Sequence, residues 1–165
     1  MTLPAGRRRN ALLAAAGAAL IVGALGAAAT DLGPWYQDLR KPSWQPPDWL
    51  FGPAWTVIYA LAALSAATAW AAARDRMHES GIIVLFGLNA LLNLFWSQLF
   101  FGLRRPDWAL AELVLLWISV LVLIVVLRPI SRTASWLLVP YLAWVTFAGL
   151  LNLAVVRLNA PFAPS

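Results

Sequence analysis

Apolar residues fall into five long runs with almost no charge, at positions 10–30, 51–73, 81–103, 108–127 and 133–156. Each is close to the ~20 residues a helix needs to cross a ~30 Å hydrocarbon core. The pattern predicts an all-α integral membrane protein, a five-helix transmembrane bundle forming one domain over residues 1–165. The separators after the second, third and fourth runs are short and polar: RDRMHES, RRPD and RPISR. Links of that length join antiparallel neighbours, so an up-and-down bundle is expected. Arg7, Arg8 and Arg9 precede the first run and Ala27, Ala28 and Ala29 end it, a pattern shared with secretory signals. The apolar stretch exceeds the usual ~7–15 residues of a signal core, which favours a retained helix.

Only the first connection, residues 31–50, is long. Residues 35–59 read WYQDLRKPSWQPPDWLFGPAWTVIY, with four tryptophans, two tyrosines and four prolines. Pro42, Pro46 and Pro47 each fix φ and turn the preceding residue away from helix, so a stiff, extended or turning structure is expected. Tryptophan, a flat apolar ring with one N–H donor, suits a bilayer interface or the wall of a pocket. A loop this long in a compact domain is functional or disordered, and this composition argues against disorder. A rigid aromatic lid over the bundle follows.

The few polar residues inside the runs recur at helical spacing. In the third run Asn89, Asn93, Trp96 and Phe100 fall at i, i+4, i+7 and i+11, one face of a helix. Trp108, Glu112, Leu115 and Ser119 repeat that spacing in the fourth. The second offers Trp55 and Tyr59, and the fifth Tyr141, Trp144, Val145, Ala148 and Asn152 along one surface. Exposing Asn or Glu to lipid is costly, so these stripes are expected to face an interior with aromatic walls and sparse polar groups, the make-up of a small-molecule site. Plainer roles compete. Asn89, Asn93 and Asn152 can act as hydrogen-bonded glue between helices, and Glu112 can reach toward Arg104 or Arg105. Trp49, Trp70 and Trp136 sit near run ends as interfacial anchors, and His78 lies in a polar loop. Small residues in the first run, Gly17, Ala19, Gly23, Gly26 and Ala27, permit close packing and give a weak signal for a dimer seam.

Composition mainly excludes. The chain is 62% hydrophobic and 12% charged, with a mean hydropathy of +0.74, where soluble domains carry about 25% charge. The absence of cysteine removes disulfides, thiolate metal sites, CxxCH haem attachment and thiol catalysis. No histidine lies within a run to activate a serine, no paired carboxylates share a face, and no glycine-rich phosphate loop opens a helix. No metal site and no catalytic residue are assigned. The net charge is +5, but the twelve basic residues are dispersed over the N-terminus and loops, which speaks for membrane topology and not nucleic acid. Seven of them share the N-terminal side and five the other, favouring a cytoplasmic N-terminus.

Residues 35–59, then LLNLFWSQLFFGL, DWALAEL and LLVPYLAWVTFAGLLN, closely resemble the tryptophan-rich sensory protein and translocator protein family, TspO/MBR. The resemblance runs in register over about residues 35–152. It implies a five-helix bundle with the first run retained, in a multi-pass bacterial cell-membrane protein, an outer membrane being the alternative location. Members bind porphyrins such as protoporphyrin IX, and in some cases haem, sterols and isoquinoline-type ligands, in a pocket closed by the first loop. Carried over by position, Trp44, Pro46 and Pro47 belong to that covering loop. Trp55, Asn93, Trp96, Trp108 and Trp144 would line the pocket, with Tyr59, Ala148 and Asn152 close by. Ser97 and Gln98 replace a double proline of mammalian members, so the third helix is expected to bend less. The mammalian sterol-recognition pattern is broken, because Tyr141 is followed by no basic residue before Arg157, which leaves sterol-like ligands least supported. The expected role is a membrane-embedded binding and sensory protein for tetrapyrroles, with no obligatory cofactor and a homodimer as the assembly. A porphyrin transporter and a light-dependent porphyrin-degrading protein using Trp55 and Trp144 are the competing roles, which bundle shape does not separate.

Overall fold

The computed structural model describes residues 5–162; the side chains of Arg7 and Arg8, counted above on the N-terminal side, lie outside the described set. Among the described residues seven α-helices run in chain order: α1 (Ala5–Ala29), α2 (Pro34–Asp38), α3 (Phe51–Ala72), α4 (Arg76–Ser97), α5 (Pro106–Leu127), α6 (Arg132–Leu137) and α7 (Val139–Asn159). With their continuations they give five helical stretches long and apolar enough to span a bilayer: Arg9–Ala29, Asp48–Ala72, Arg76–Gly102, Pro106–Leu127 and Arg132–Asn159. The chain is a multi-pass membrane protein.

Local chemistry sets the helix ends. The Asp75 carboxylate accepts from the His78 backbone N–H at 2.9 Å, so α4 starts before the apolar run does. His78 therefore sits in the first helical turn, not in a polar loop as its neighbours suggested. Hydropathy misses such starts because the capped turn is polar. Pro106 begins α5 where a missing N–H costs nothing. Pro140 cannot donate into the ladder, and the fifth span accordingly breaks at Leu138 into α6 and α7.

The third span does not run on undisturbed. At Gln98–Gly102 the α-helix widens into a π-turn, with the Leu103 N–H donating to Gln98 O at 2.8 Å. Arg104 then takes a left-handed φ of 52°, closing the helix end. The absence of proline at Ser97 and Gln98 thus leaves this segment irregular all the same, since five-residue hydrogen bonding distorts a helix without it.

Helix contacts close a ring in the order α1, α3, α6–α7, α5, α4 and back to α1. Most consecutive spans are neighbours, but α3 and α4 touch only lightly despite their short link, because α6–α7 and α1 take the places beside α3. Far from the first loop the bundle is solid: Ala69, Leu116, Val120, Leu123, Leu127, Ala134, Leu138 and Tyr141 form a continuous buried cluster. Ser65 Oγ donates to Ala134 O at 2.7 Å across it. A second cluster of Tyr36, Leu99, Phe100, Ala109 and Val155 lies at the loop end.

The fourth-span stripe is corrected. Glu112 is buried and Ser119 partly so, but Trp108 and Leu115 are 52% and 56% exposed. The true inward seam is Ala109, Glu112, Leu113, Leu116, Val120, Leu123 and Leu127. With apolar residues all round α5, the polar positions alone could not fix its rotation. The small residues of α1 also find an internal use. A Cβ on Gly23 would meet the Tyr59 ring at 3.3 Å, and one on Gly26 the Tyr59 hydroxyl at 3.6 Å. These two glycines serve the α1–α3 contact within one chain.

Candidate functional site

Between α1, α3, α4 and α7, under the first loop, lies a cavity of about 1280 Å³. Its inner walls are Trp55, Tyr59, Asn93, Trp96, Trp144, Ala148 and Asn152, which brings seven sequence-predicted positions together. Trp55 is the centre of the aromatic wall: it stacks on Tyr59 with ring centroids 5.3 Å apart and meets Trp144 edge-on at 6.3 Å. Trp96 stands opposite with Phe100 at 5.3 Å. Such offset and edge-to-face contacts fix ring orientation and leave flat faces as apolar surface. Leu12, Leu13 and Leu20 of α1 line the cavity and keep exposed surface.

Four predicted positions lie off the wall. Trp108 sits on α5, which contributes none of the described lining residues, and the Arg105 guanidinium lies 4.2 Å from its ring centroid. It was expected inside by its spacing with Glu112 and, as pocket lining, by the family resemblance; the rotation of α5 turns it out. Trp44 is half-exposed and packs edge-on against Phe147 at 6.0 Å. Pro46 and Pro47 shape the loop without lining the cavity.

The mouth is formed instead by Tyr36, Lys41, Gln45, Asp48 and Trp49, a set that sequence reasoning missed, having read Trp49 as an interfacial anchor. Tyr36 donates to Asp48 Oδ1 at 2.9 Å, and Gln45 Nε2 donates to the same oxygen at 3.1 Å. Lys41 Nζ lies 3.8 Å from the Tyr36 ring centroid and 3.9 Å from Asp48 Oδ2. Burial, then the Asp48 carboxylate, pushes the Tyr36 hydroxyl well above the usual tyrosine range. The opposite charges of Lys41 and Asp48 on either side of the prolines were the available signal. The loop is tied down at its far side, where the Arg40 N–H donates to Asn159 Oδ1 at 2.8 Å and Asn159 Nδ2 to Arg40 O at 2.9 Å.

The asparagines divide in role. Tyr59 donates to Asn93 Oδ1 at 2.7 Å, Asn93 Nδ2 to the Tyr141 hydroxyl at 3.4 Å, and Tyr141 to Asn89 Oδ1 at 3.2 Å. Asn89 Nδ2 continues to Ser119 at 2.8 Å. This chain ties α3, α4, α5 and α7 together, so Asn89 and Asn93 are glue. Asn152 is 2% exposed, and neither its Oδ1 nor its Nδ2 finds a partner among the described residues. The buried indole N–H groups of Trp96 and Trp144 are equally unpartnered. A wall of flat apolar faces is equipped to bind a large flat molecule.

Comparison with known proteins agrees with this architecture. A profile of the TspO/MBR family matches residues 12–158. The tryptophan-rich protein TspO of Chlorobaculum tepidum is 41% identical over 76% of this chain and 79% of its own. The tryptophan-rich sensory protein of Cereibacter sphaeroides is 36% identical over 89% of this chain and 88% of its own. The translocator protein of Homo sapiens is 35% identical over 76% and 75%.

Proposed function

The chain belongs to the TspO/MBR family, and from that premise we propose that it is a membrane-embedded binding and sensory protein for porphyrins and related flat hydrophobic ligands. One observation carries this reading: a cavity of about 1280 Å³, above the ~300–1,000 Å³ of common ligand pockets, is walled by Trp55, Trp96 and Trp144 on three different segments. A flat polycyclic ring fills such a space with stacking contacts on several sides. The structured loop supports it further, since an ordered lid reduces the conformational cost of enclosing a ligand.

Titration of the detergent-solubilised chain with protoporphyrin IX tests the reading. Tryptophan fluorescence is expected to fall saturably, because the quencher lies among Trp55, Trp96 and Trp144. The Trp55→Ala, Trp144→Ala double variant should bind at least about tenfold more weakly, as expected for losing two large contact surfaces. A linear, non-saturating titration of the wild type refutes the proposal.

A further inference from the structure

Loop residues Leu39, Lys41, Gln45 and Asp48 border the mouth of the cavity, and the side-chain bonds among them, such as those of Tyr36 and Gln45 to Asp48, stay inside the loop. Among the described residues, the hydrogen bonds that join residues 31–50 to a distant part of the chain all go to one side chain. Asn159 Oδ1 accepts from the Arg40 N–H at 2.8 Å, and Asn159 Nδ2 donates to Arg40 O at 2.9 Å. Resting on the reading that the cavity binds a ligand, we propose that Asn159 is a positioning residue that latches the lid: its carboxamide sets how fast ligand passes the mouth, and not how tightly ligand is held.

The place of the latch gives it leverage. Arg40 lies between Leu39 and Lys41, which both line the cavity. Asn159 is the last residue of α7, one turn beyond Val155, which lines the cavity too and whose carbonyl accepts from Asn159 Nδ2 at 2.8 Å. The clasp therefore ties the mouth to a wall helix. A carboxamide presents an acceptor beside a donor, so the chain cannot leave α7 at Arg40 without losing both bonds together. Both are exposed, and water takes over the parted groups, so opening costs little. Apolar contacts of the loop, Trp44 edge-on to Phe147 and Trp35 to Phe100, do not pass through Asn159 and still favour closure without it. Asn159 is not among the described lining residues. Its removal accordingly raises the open fraction of free and ligand-bound protein alike. Entry and exit share the open form, so both rates rise by one factor and their ratio stays.

Stopped-flow tryptophan quenching by protoporphyrin IX, with the detergent-solubilised full chain, tests this. Asn159→Ala should raise the association and dissociation rates by about tenfold each, equivalent to ~1.4 kcal/mol and within reach of two modest hydrogen bonds. The Kd should stay within about twofold, since equal factors cancel in it. Asn159→Asp keeps the acceptor but turns an oxygen toward the Arg40 carbonyl, and should accelerate both rates as well. Without ligand, amide exchange of residues 34–50 should quicken in both variants while that of α5 is unchanged. Saturable binding with wild-type rates in the variants, a Kd that weakens at constant association rate, or loop exchange that does not respond overturns the proposal and leaves the cavity as a binding site. Loss of helical content in both variants overturns it too, because the clasp would then belong to the fold. Absence of saturable porphyrin binding by the wild type removes the cavity reading and this inference together.

Discussion

Glu112 shows how a bilayer interior changes the meaning of a single side chain. From the sequence it had two natural partners, Arg104 and Arg105. In the structure Arg105 holds Asp107 instead, with both guanidinium–carboxylate contacts formed, and Glu112 is 5% exposed with neither carboxyl oxygen partnered among the described residues. Keeping an isolated carboxylate in such a place would cost far more than a surface pair returns. Glu112→Gln keeps the shape and removes the ionisable group, so its thermal midpoint in detergent should equal or exceed that of the wild type. Glu112→Ala leaves a void and should lower it, by an amount on the order of 1–3 kcal/mol in stability. A glutamine variant as unstable as the alanine one would mean that the carboxyl itself is needed. The asparagines teach the complementary lesson. Asn93 and Asn152 read alike in sequence because each sits on an inward stripe, and only the presence of Tyr59 and Tyr141 beside one of them, from other helices, separates glue from a buried amide without a partner among the described residues.

At the scale of elements, the first loop is a built structure whose rigidity was legible and whose working face was not. Its prolines announced stiffness. What they hold in place, the Tyr36, Lys41, Gln45 and Asp48 cluster at the mouth, depends on contacts between residues up to twelve positions apart. Because burial and Asp48 raise the Tyr36 hydroxyl above its ordinary value, lid closure should depend on pH in one direction. Below about pH 10, the ordinary tyrosine value, the hydroxyl is protonated whether the lid is closed or open, and closure keeps its full stability. Above it the open form releases the proton and the closed form does not, so closure weakens as pH rises. Amide exchange of residues 34–50, corrected for the intrinsic rate, should be flat from pH 7 to 9 on the scale set by that value and should accelerate beyond about 10. Tyr36→Phe should abolish the step; slower exchange at high pH would contradict the assignment. The same limit on legibility appears in α4, whose polar first turn and π-turn end are set by Asp75 and by local hydrogen bonding that hydropathy does not register.

For the whole molecule, five spans were readable because each must match the thickness of a bilayer, but their order around the ring was not, because lipid-facing and core-facing leucines look alike in sequence. The ring order matters for function. It places α5 against α4 and α7, away from the cavity, and lets α1, α3, α4 and α7 enclose it. The result is a bundle divided along its length, solid around Leu116, Leu123 and Leu127 and open beneath the loop. Truncation should therefore act differently in the two halves. Leu123, fully buried, loses its packing partners on all sides when cut to alanine; such changes cost ~2–5 kcal/mol in soluble cores, and in a membrane the packing part of that cost remains. Leu123→Ala should lower the thermal midpoint strongly while the folded protein binds protoporphyrin IX with unchanged affinity. Trp55→Ala removes a ring that already borders open space, so it should weaken binding with a smaller loss of midpoint. Saturating porphyrin should then raise the midpoint of Leu123→Ala by about as much as that of the wild type, since a ligand stabilises through its affinity for the folded state alone. If Trp55→Ala proved as destabilising as Leu123→Ala, or if Leu123→Ala lost its porphyrin affinity, the two halves would form one packing unit and binding could not be assigned to the loop end.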